Sequence, residues 1–144
     1  MYVVDTNIVS ELVKATPDAR VLSWLTAHER DLYLTAITVE EMRFGALCLP
    51  EGKRKRTLSS AIDEIVTTYA HRTLPFDIAA AEVCARYHRQ AIASGFTPTI
   101  EDLMIAAICT CSGASLATRN VRDFDYLDIE VVNPFGVEME PSFD

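Results

Sequence analysis

Short runs of apolar and β-branched residues alternate along this chain with longer stretches in which apolar residues recur at helical spacing. The short runs predict strands at residues 2–5, 32–36, 73–76, 115–118 and 129–132. The longer stretches predict helices at residues 8–13, 19–27, 39–49, 53–69, 78–94 and 100–111. A helix between two strands supplies the crossover that parallel pairing requires, and parallel sheets carry helices on both faces. The sequence therefore predicts an α/β protein with three α/β/α layers around a mainly parallel central sheet.

The length and composition suit one domain. With 144 residues, 49% of them hydrophobic, the chain can bury a core of its own. We expect this domain to span residues 1–135 and a short irregular tail to follow at 136–144. The apolar start lacks a basic flank and no apolar run reaches membrane-spanning length, so we expect a soluble, cytoplasmic protein.

The cysteines lie within apolar helical patterns, at Cys48, Cys84, Cys109 and Cys111. Their spacing does not match that of a structural zinc site. We therefore expect small, buried and reduced thiols.

The chain carries a formal net charge of −8 at pH 7, so its surface as a whole should repel a nucleic-acid backbone. A nucleic-acid function would need a local device, either metal ions that neutralise the acids or a basic patch. The densest basic patch is the run Lys53-Arg54-Lys55-Arg56. We interpret this run as the solvated start of a helix, balanced by nearby acids, in preference to a nucleic-acid contact.

Acidic side chains follow the ends of several predicted strands. Asp5 comes directly after the first strand, and Glu40 and Glu41 lie in the first turn of the helix after the second. Asp102 lies in the first turn of a nearly all-apolar helix, three residues after the cap residue Thr99. A further acidic group follows the fourth strand, at Asp123, Asp125 and Asp128. Each of these acids also has a purely structural explanation, because acids cap helices, favour their first turns and are common in loops.

The common position of these acids points to a site. In a parallel sheet the carboxyl ends of the strands meet at one edge, where open α/β proteins bind ligands. Acids gathered there repel one another and raise one another's pKa unless a cation lies between them. A set of carboxylates without histidine suits Mg²⁺ or Mn²⁺, which suggests metal-assisted phosphodiester hydrolysis. The residues alone leave open whether Glu40 or Glu41 belongs to this site.

Four stretches occur in this order along the chain: VVDTNIVSEL, TAITVEEMRFGA, EDLMIAAI and LATRNVRDF. Their order and separations closely resemble the PIN-domain toxins of the VapC type, and the FitB-like group in particular. The resemblance extends from Met1 to about Phe135. It implies a PIN-like α/β/α domain whose acidic pocket binds Mg²⁺ or Mn²⁺ and whose activity is that of an endoribonuclease.

The resemblance also implies roles for single residues. The catalytic, metal-binding acids fall on Asp5, Glu41, Asp102 and Asp123. The supporting polar side chains fall on Thr6, Asn7, Thr118 and Asn120. We expect Asp5 and Asp102 to hold the main metal and Asp123 to bind a second ion or orient waters. Glu41, which the resemblance selects over Glu40, would act through water or help to deprotonate the nucleophile. Candidates for contacts to RNA phosphates are Arg43, Arg119 and Arg122, although solvated arginines are the commoner outcome.

Partners are a further implication of the resemblance. Toxins of this type pair with a small VapB/FitA-like antitoxin whose C-terminal segment blocks the acidic groove, and they usually form dimers. We therefore expect a homodimer and a hetero-oligomer with the antitoxin, with an RNA substrate, no membrane, and DNA contacts only through the antitoxin. The alternative is a weakly active or inactive interaction subunit of a FitAB-like DNA-bound regulatory complex. A phosphatase or flap-nuclease chemistry is a third reading, and the absence of an added helical arch or domain in so short a chain disfavours structure-specific DNA cleavage.

Overall fold

The computed structural model describes residues 1–136, and its central sheet consists of five short strands. They are β1 Tyr2–Val4, β2 Leu32–Thr35, β3 Thr73–Leu74, β4 Ser115–Ala117 and β5 Val131–Val132. Their order across the sheet is β3-β2-β1-β4-β5, and all the neighbouring pairs are parallel. The predicted parallel sheet is confirmed, and each strand is one or two residues shorter than its predicted run.

Within residues 1–136, six α-helices connect the strands. They are α1 Thr6–Val9, α2 Ala19–Ala27, α3 Ala36–Leu47, α4 Lys53–Thr68, α5 Ile78–Ala93 and α6 Ile100–Ser112. A 3₁₀ segment at Ser10–Val13 continues α1, and another at Val121–Phe124 follows β4. The helix ends follow local chemistry: the Asp77 carboxylate accepts the Ala80 amide at 2.9 Å where α5 begins, and Gly113 ends α6 with a left-handed φ of 67°.

Helix α3 begins at Ala36, three residues earlier than the sequence pattern predicts. Thr35, the last residue of β2, caps this helix because its Oγ1 accepts a hydrogen bond from the Thr38 amide at 3.1 Å. The β-branched residues that follow favour a strand locally, but the cap and the packing on the sheet turn them into the first helical turn. The prediction that Glu40 and Glu41 lie in the first turn is therefore wrong, since both lie in the second.

Both faces of the sheet are covered, as the predicted α/β/α layering requires. Consecutive residues of a strand point to opposite faces. Val4 of β1 accordingly packs with Ile8 and with helices α2, α3 and α4, whereas Val3 packs with Leu116 and with Ile105 of α6. Helix α5 lies outside α6 and packs against it. The edge of the sheet at the carboxyl ends of the strands, here called the acidic edge, therefore has a hydrophobic core on each side.

The cysteines divide into two buried and two exposed thiols. Cys84 and Cys109 are buried, as predicted, but Cys48 and Cys111 are exposed, so the prediction of buried thiols is wrong for these two. Cys48 follows the last residue of α3, where the chain turns at the surface. Cys111 lies two residues after Cys109 on α6 and therefore on a different side of that helix. All four thiols are free.

The basic run opens α4, in agreement with its interpretation as a helix start. Lys55 Nζ lies 2.6 Å from the carboxylate of Glu51, and the other cations of the run are exposed. In the described part of the chain, no helix is both long enough and apolar enough to cross a membrane. Apart from Gly136, the tail predicted at 136–144 lies outside the described residues.

Candidate metal centre

Asp5 lies at the centre of the acidic edge. Because Val4 of β1 pairs with Ala117 of β4, the next residues, Asp5 and Thr118, emerge side by side at the carboxyl edge of the sheet. Asp5 is only 6% exposed. Its Oδ1 accepts the Thr6 amide at 2.8 Å, and its Oδ2 accepts the Thr118 hydroxyl at 2.8 Å. Asp5 therefore caps α1 and also presents a buried carboxylate at the sheet edge.

The neighbours of Thr118 fix the direction of its hydroxyl proton. Thr118 Oγ1 accepts hydrogen bonds from Asn7 Nδ2 at 3.3 Å and from the Asn120 amide at 3.2 Å. A hydroxyl has one proton to donate, and here it goes to the Asp5 carboxylate. The Thr6 amide binds the other carboxylate oxygen of Asp5. All the predicted supporting residues therefore lie around Asp5, and Asn120 contributes through its backbone amide.

Glu41 is connected to the same edge by Thr6. The Thr6 hydroxyl donates to Glu41 Oε1 at 3.1 Å. Burial raises the pKa of Glu41, the hydrogen bond from Thr6 opposes this rise, and the charges of Asp5 and Asp102 add to it. The preceding residue, Glu40, is exposed. Of the two glutamates that the residue pattern could not separate, Glu41 is the one that faces the other acids.

Asp102 approaches the edge from the first turn of α6. Its amide donates to Thr99 Oγ1 at 3.2 Å, which is the cap predicted from the sequence. Burial raises the pKa of Asp102 to about 6, and the negative charges of Asp5, Asp123 and Glu101 contribute to the rise. A second partly buried carboxylate thus faces Asp5.

The fourth acid is Asp123, an exposed residue of the 3₁₀ segment after β4. Burial raises the pKa of Asp5, the hydrogen bonds from Thr118 and Thr6 oppose the rise, and the charge of Asp123 adds to it. The charge of Asp123 also acts on Asp102. The structure therefore brings the acids that the sequence singles out into electrostatic range of one another.

The side chains do not form a closed ligand shell as they stand. Between residues 1 and 136, no three His, Cys, Asp or Glu side chains lie close enough together to hold a metal ion. The donors still fit a hard divalent cation, because they are oxygen atoms whose negative charges raise one another's pKa. Mg²⁺ is commonly bound through one or two carboxylates, with water completing its octahedron. The donor set therefore fits Mg²⁺ or Mn²⁺.

The arginines expected to contact RNA occupy two different regions. Arg119 and Arg122 line a cavity of about 740 Å³, which Asp123 also lines. The guanidinium of Arg43 instead pairs with Asp63 of α4 at 2.5 Å. Two of the three arginines therefore share a cavity with Asp123, and the third has a carboxylate partner on a neighbouring helix.

Sequence reasoning misses two residues of this region. The negative charge of Glu101 contributes to the raised pKa of both Glu41 and Asp102. Its position next to Asp102 in the first turn of α6 is a sequence signal that could have indicated this contribution. Arg20 of α2 lines the same cavity as Arg119. No local signal distinguishes Arg20 from a solvated helical arginine, because only the tertiary fold brings α2 to this cavity.

Known proteins with this architecture identify the family. The family model described as PIN domain matches residues 2–130. The chain belongs to the PIN-domain family. This PIN domain is 40% identical over 137 residues to the VapC ribonuclease Y4jK of Sinorhizobium fredii, a match that covers 94% of this chain and 98% of the relative. It is 36% identical over 137 residues to the Toxin FitB of Neisseria gonorrhoeae, with 94% and 99% covered.

A solved structure of FitAB bound to an IR36 DNA fragment contains a chain with the same fold. That chain superposes on this PIN domain with a TM-score of 0.88 at 36% identity, and the match covers 96% of this chain and 98% of that one. The predicted α/β/α fold and the resemblance to VapC-type and FitB-like proteins are confirmed.

Proposed function

We propose that this PIN domain is the toxin of a type II toxin–antitoxin system and a divalent-metal-dependent endoribonuclease. The observation that carries the proposal is the buried Asp5 carboxylate with Glu41 and Asp102 around it, each with a raised pKa. In residues 1–136, no Lys, Arg or His forms an ion pair with any of these three. Like charges held at a buried edge without a protein cation favour a bound metal ion. The names of the relatives, a VapC ribonuclease and a toxin, support the same conclusion.

The carboxylates would have different roles, according to their burial. Asp5 and Asp102 would hold the main cation, and the exposed Asp123 would bind a second ion or orient waters. When bound, Mg²⁺ or Mn²⁺ lowers the pKa of water and stabilises negative charge on the phosphate oxygens. By donating to the Asp5 carboxylate, Thr118 orients it and favours its ionised form, which opposes the rise in pKa caused by burial.

Glu41 would receive the proton of the attacking water, directly or through another water. A carboxylate with a raised pKa is a better base than an ordinary one at neutral pH. Its orientation is set by the hydroxyl of Thr6, which donates to Oε1. As the water oxygen would bond to phosphorus, the bond from phosphorus to the leaving ribose oxygen would break, and that oxygen would take a proton from solvent water.

A VapB/FitA-like antitoxin is the proposed partner. The chain of the similar solved structure belongs to FitAB bound to an IR36 DNA fragment. An acidic edge of this kind is complementary to an arginine offered by an inhibitory segment, because guanidinium and carboxylate groups form strong paired hydrogen bonds. Contact with DNA would come through the antitoxin, in keeping with the negative net charge of this chain.

The test is cleavage of total cellular RNA by the purified full chain, with Mg²⁺ or Mn²⁺ and with EDTA. Glu41→Gln and Glu40→Gln remove the same charge from the same helix, and Glu40 is exposed. Loss of a general base should lower the rate of Glu41→Gln about a hundredfold or more, while Glu40→Gln should stay near wild type. Equal losses would contradict the role of Glu41. Absence of metal-dependent cleavage by folded protein would favour the alternative of an interaction subunit in a DNA-bound complex.

A further inference from the structure

A cleft with positive charge lies beside Asp123, at the ends of β4 and β5. Its volume is about 740 Å³. The charged side chains that line it are Arg20, Arg119, Arg122 and Asp123. Arg20 is paired with Asp18, and the remaining two arginines against one acid still make this cleft a local exception in a chain with a net charge of −8. It is the kind of local device that an acidic protein needs in order to hold a nucleic acid.

Arg119 and Arg122 have charge available for a ligand. In residues 1–136 neither forms an ion pair with a carboxylate. The guanidinium carbon of Arg119 lies 4.5 Å from the centre of the Phe135 ring, and Phe135 is buried. The Arg119 amide donates to Asn7 Oδ1 at 3.2 Å, which fixes the backbone at this point. One face of the Arg119 guanidinium is therefore supported by an aromatic ring, and within residues 1–136 the residue is exposed and open to a ligand.

Arg20 is held at the rim of the same cleft by a carboxylate. Its Nε lies 3.2 Å from Asp18 Oδ1, and its second terminal nitrogen lies 2.9 Å from Asp18 Oδ2. The Asp18 amide donates to Glu11 Oε2 at 3.2 Å, and Glu11 is buried. Because Asp18 offsets much of its charge, Arg20 shapes the rim, and the binding charge comes from Arg119 and Arg122.

We propose that this cleft binds single-stranded RNA where the strand leaves the acidic edge. Arg122 contacts a phosphate, while Arg119 contacts a second phosphate through its N–H groups and stacks a base on the face opposite Phe135. Guanidinium groups match phosphate geometry, and unpaired RNA bases stack on guanidinium planes. Asp123 belongs to both the cleft and the acidic group, so a strand bound here continues to the carboxylates. The inference rests on the proposed function for its substrate class.

An acidic peptide is the other ligand that paired arginines could take. RNA is favoured because the cleft offers a stacking plane and phosphate donors together, which matches a nucleotide better than a carboxylate chain. The position beside Asp123 also suits a substrate that must reach the acids. Binding of an oligoribonucleotide and of a short glutamate-rich peptide distinguishes the two ligands.

The experiment measures binding of a fluorescein-labelled, mixed-sequence oligoribonucleotide by anisotropy over a range of salt concentrations. The full chain carries Asp102→Asn in every sample, so that the RNA remains intact. Arg119→Ala/Arg122→Ala is compared with Arg86→Ala/Arg89→Ala, which removes two exposed arginines of α5 and changes the net charge equally. Thermal unfolding of each variant verifies that it is folded.

We expect the cleft variant to bind RNA about tenfold more weakly or worse, as loss of a stacking side chain alone can cause. The slope of log Kd against log salt should fall by about 1.4, since each phosphate contact on a single strand contributes about 0.7. The α5 variant should bind within about twofold of its parent, because its two arginines do not line the cleft and exposed charges outside it are screened by salt.

Equal weakening by both variants would overturn the proposal, because the effect would then be one of overall charge. It would also be overturned if the cleft variant kept its RNA affinity and instead lost affinity for a short glutamate-rich peptide. Failure of the proposed function has a different signature. A chain that binds RNA through the cleft but cleaves none with any metal supports the cleft and contradicts the ribonuclease, whereas cleavage with binding unaffected contradicts the cleft alone.

Discussion

Replacing Asp102 by Asn should abolish cleavage and yet stabilise the metal-free protein. Burial and the charge of Asp5 raise the pKa of Asp102 from its ordinary value of 3.8 to about 6. A shift of about two units, at about 1.36 kcal/mol each, disfavours the ionised folded state by about 3 kcal/mol. Because Asp102 is only partly buried, solvent screening reduces this figure, and we expect Asp102→Asn to gain about 1 to 2 kcal/mol at pH 8.

The raised pKa of Asp102 determines how the free energy of unfolding changes with pH. Between about pH 4 and pH 6, the folded chain binds more protons at this carboxyl than the unfolded chain does. The stabilising effect of the bound proton is present below the unfolded pKa and is lost as the pH rises through about 6. The higher free energy of unfolding of Asp102→Asn relative to wild type should therefore be fully present at pH 8 and mostly absent at pH 4.

The assay is urea denaturation in EDTA at both pH values, followed by far-ultraviolet circular dichroism. Glu101→Gln is the matched control, because it removes a neighbouring charge from the same turn of α6. It should gain less stability at pH 8 than Asp102→Asn. The reasoning is refuted if Asp102→Asn is less stable than wild type at pH 8, or if both variants gain equally. Added Mg²⁺ should stabilise wild type more than Asp102→Asn.

Two further predictions concern the support of Asp5 and the thiols. Thr118→Val removes the hydroxyl that donates to the buried Asp5 carboxylate, and should lower the free energy of unfolding by about 2 kcal/mol at pH 8 in urea denaturation. Thr118→Ser keeps the donor and should lose less, so equal losses would argue against the hydrogen bond. In native protein, iodoacetamide should modify the exposed Cys48 and Cys111 first and Cys109 last, because burial raises the pKa of the Cys109 thiol to about 12. Mass spectrometry of timed samples checks this order, and early modification of Cys109 would contradict its burial.

Most of the fold follows from local patterns in the sequence. The strands are short apolar runs that end at polar residues, and the long helices have clear apolar periodicity, so their places are predictable. The start of α3 is the exception. Residues 37–39 are β-branched and favour a strand locally, but the Thr35 cap begins the helix before them. Local propensity could not foresee an effect that depends on the cap and on packing against the sheet.

The candidate site is predictable to the extent that it lies at strand ends. Asp5 follows β1 directly, so the parallel topology alone places it at the acidic edge. The choice between Glu41 and Glu40 depends on the rotation of α3, which the residue pattern leaves open, and the contact with Thr6 favours Glu41. Arg20 could not be foreseen, because α2 reaches the cleft only through the tertiary fold. Sequence reasoning therefore misses side chains that reach the cleft from segments distant along the chain.

Binding of Mn²⁺ to the full chain tests most directly whether the acidic edge is a cation site. Electron paramagnetic resonance of the free ion gives the bound fraction during a titration. We expect wild type to bind Mn²⁺, Mg²⁺ to displace it, and Asp102→Asn to bind far less while Glu40→Gln binds as wild type does. Equal Mn²⁺ binding by wild type and Asp102→Asn, or no binding by folded wild type, would contradict a metal centre built on these carboxylates.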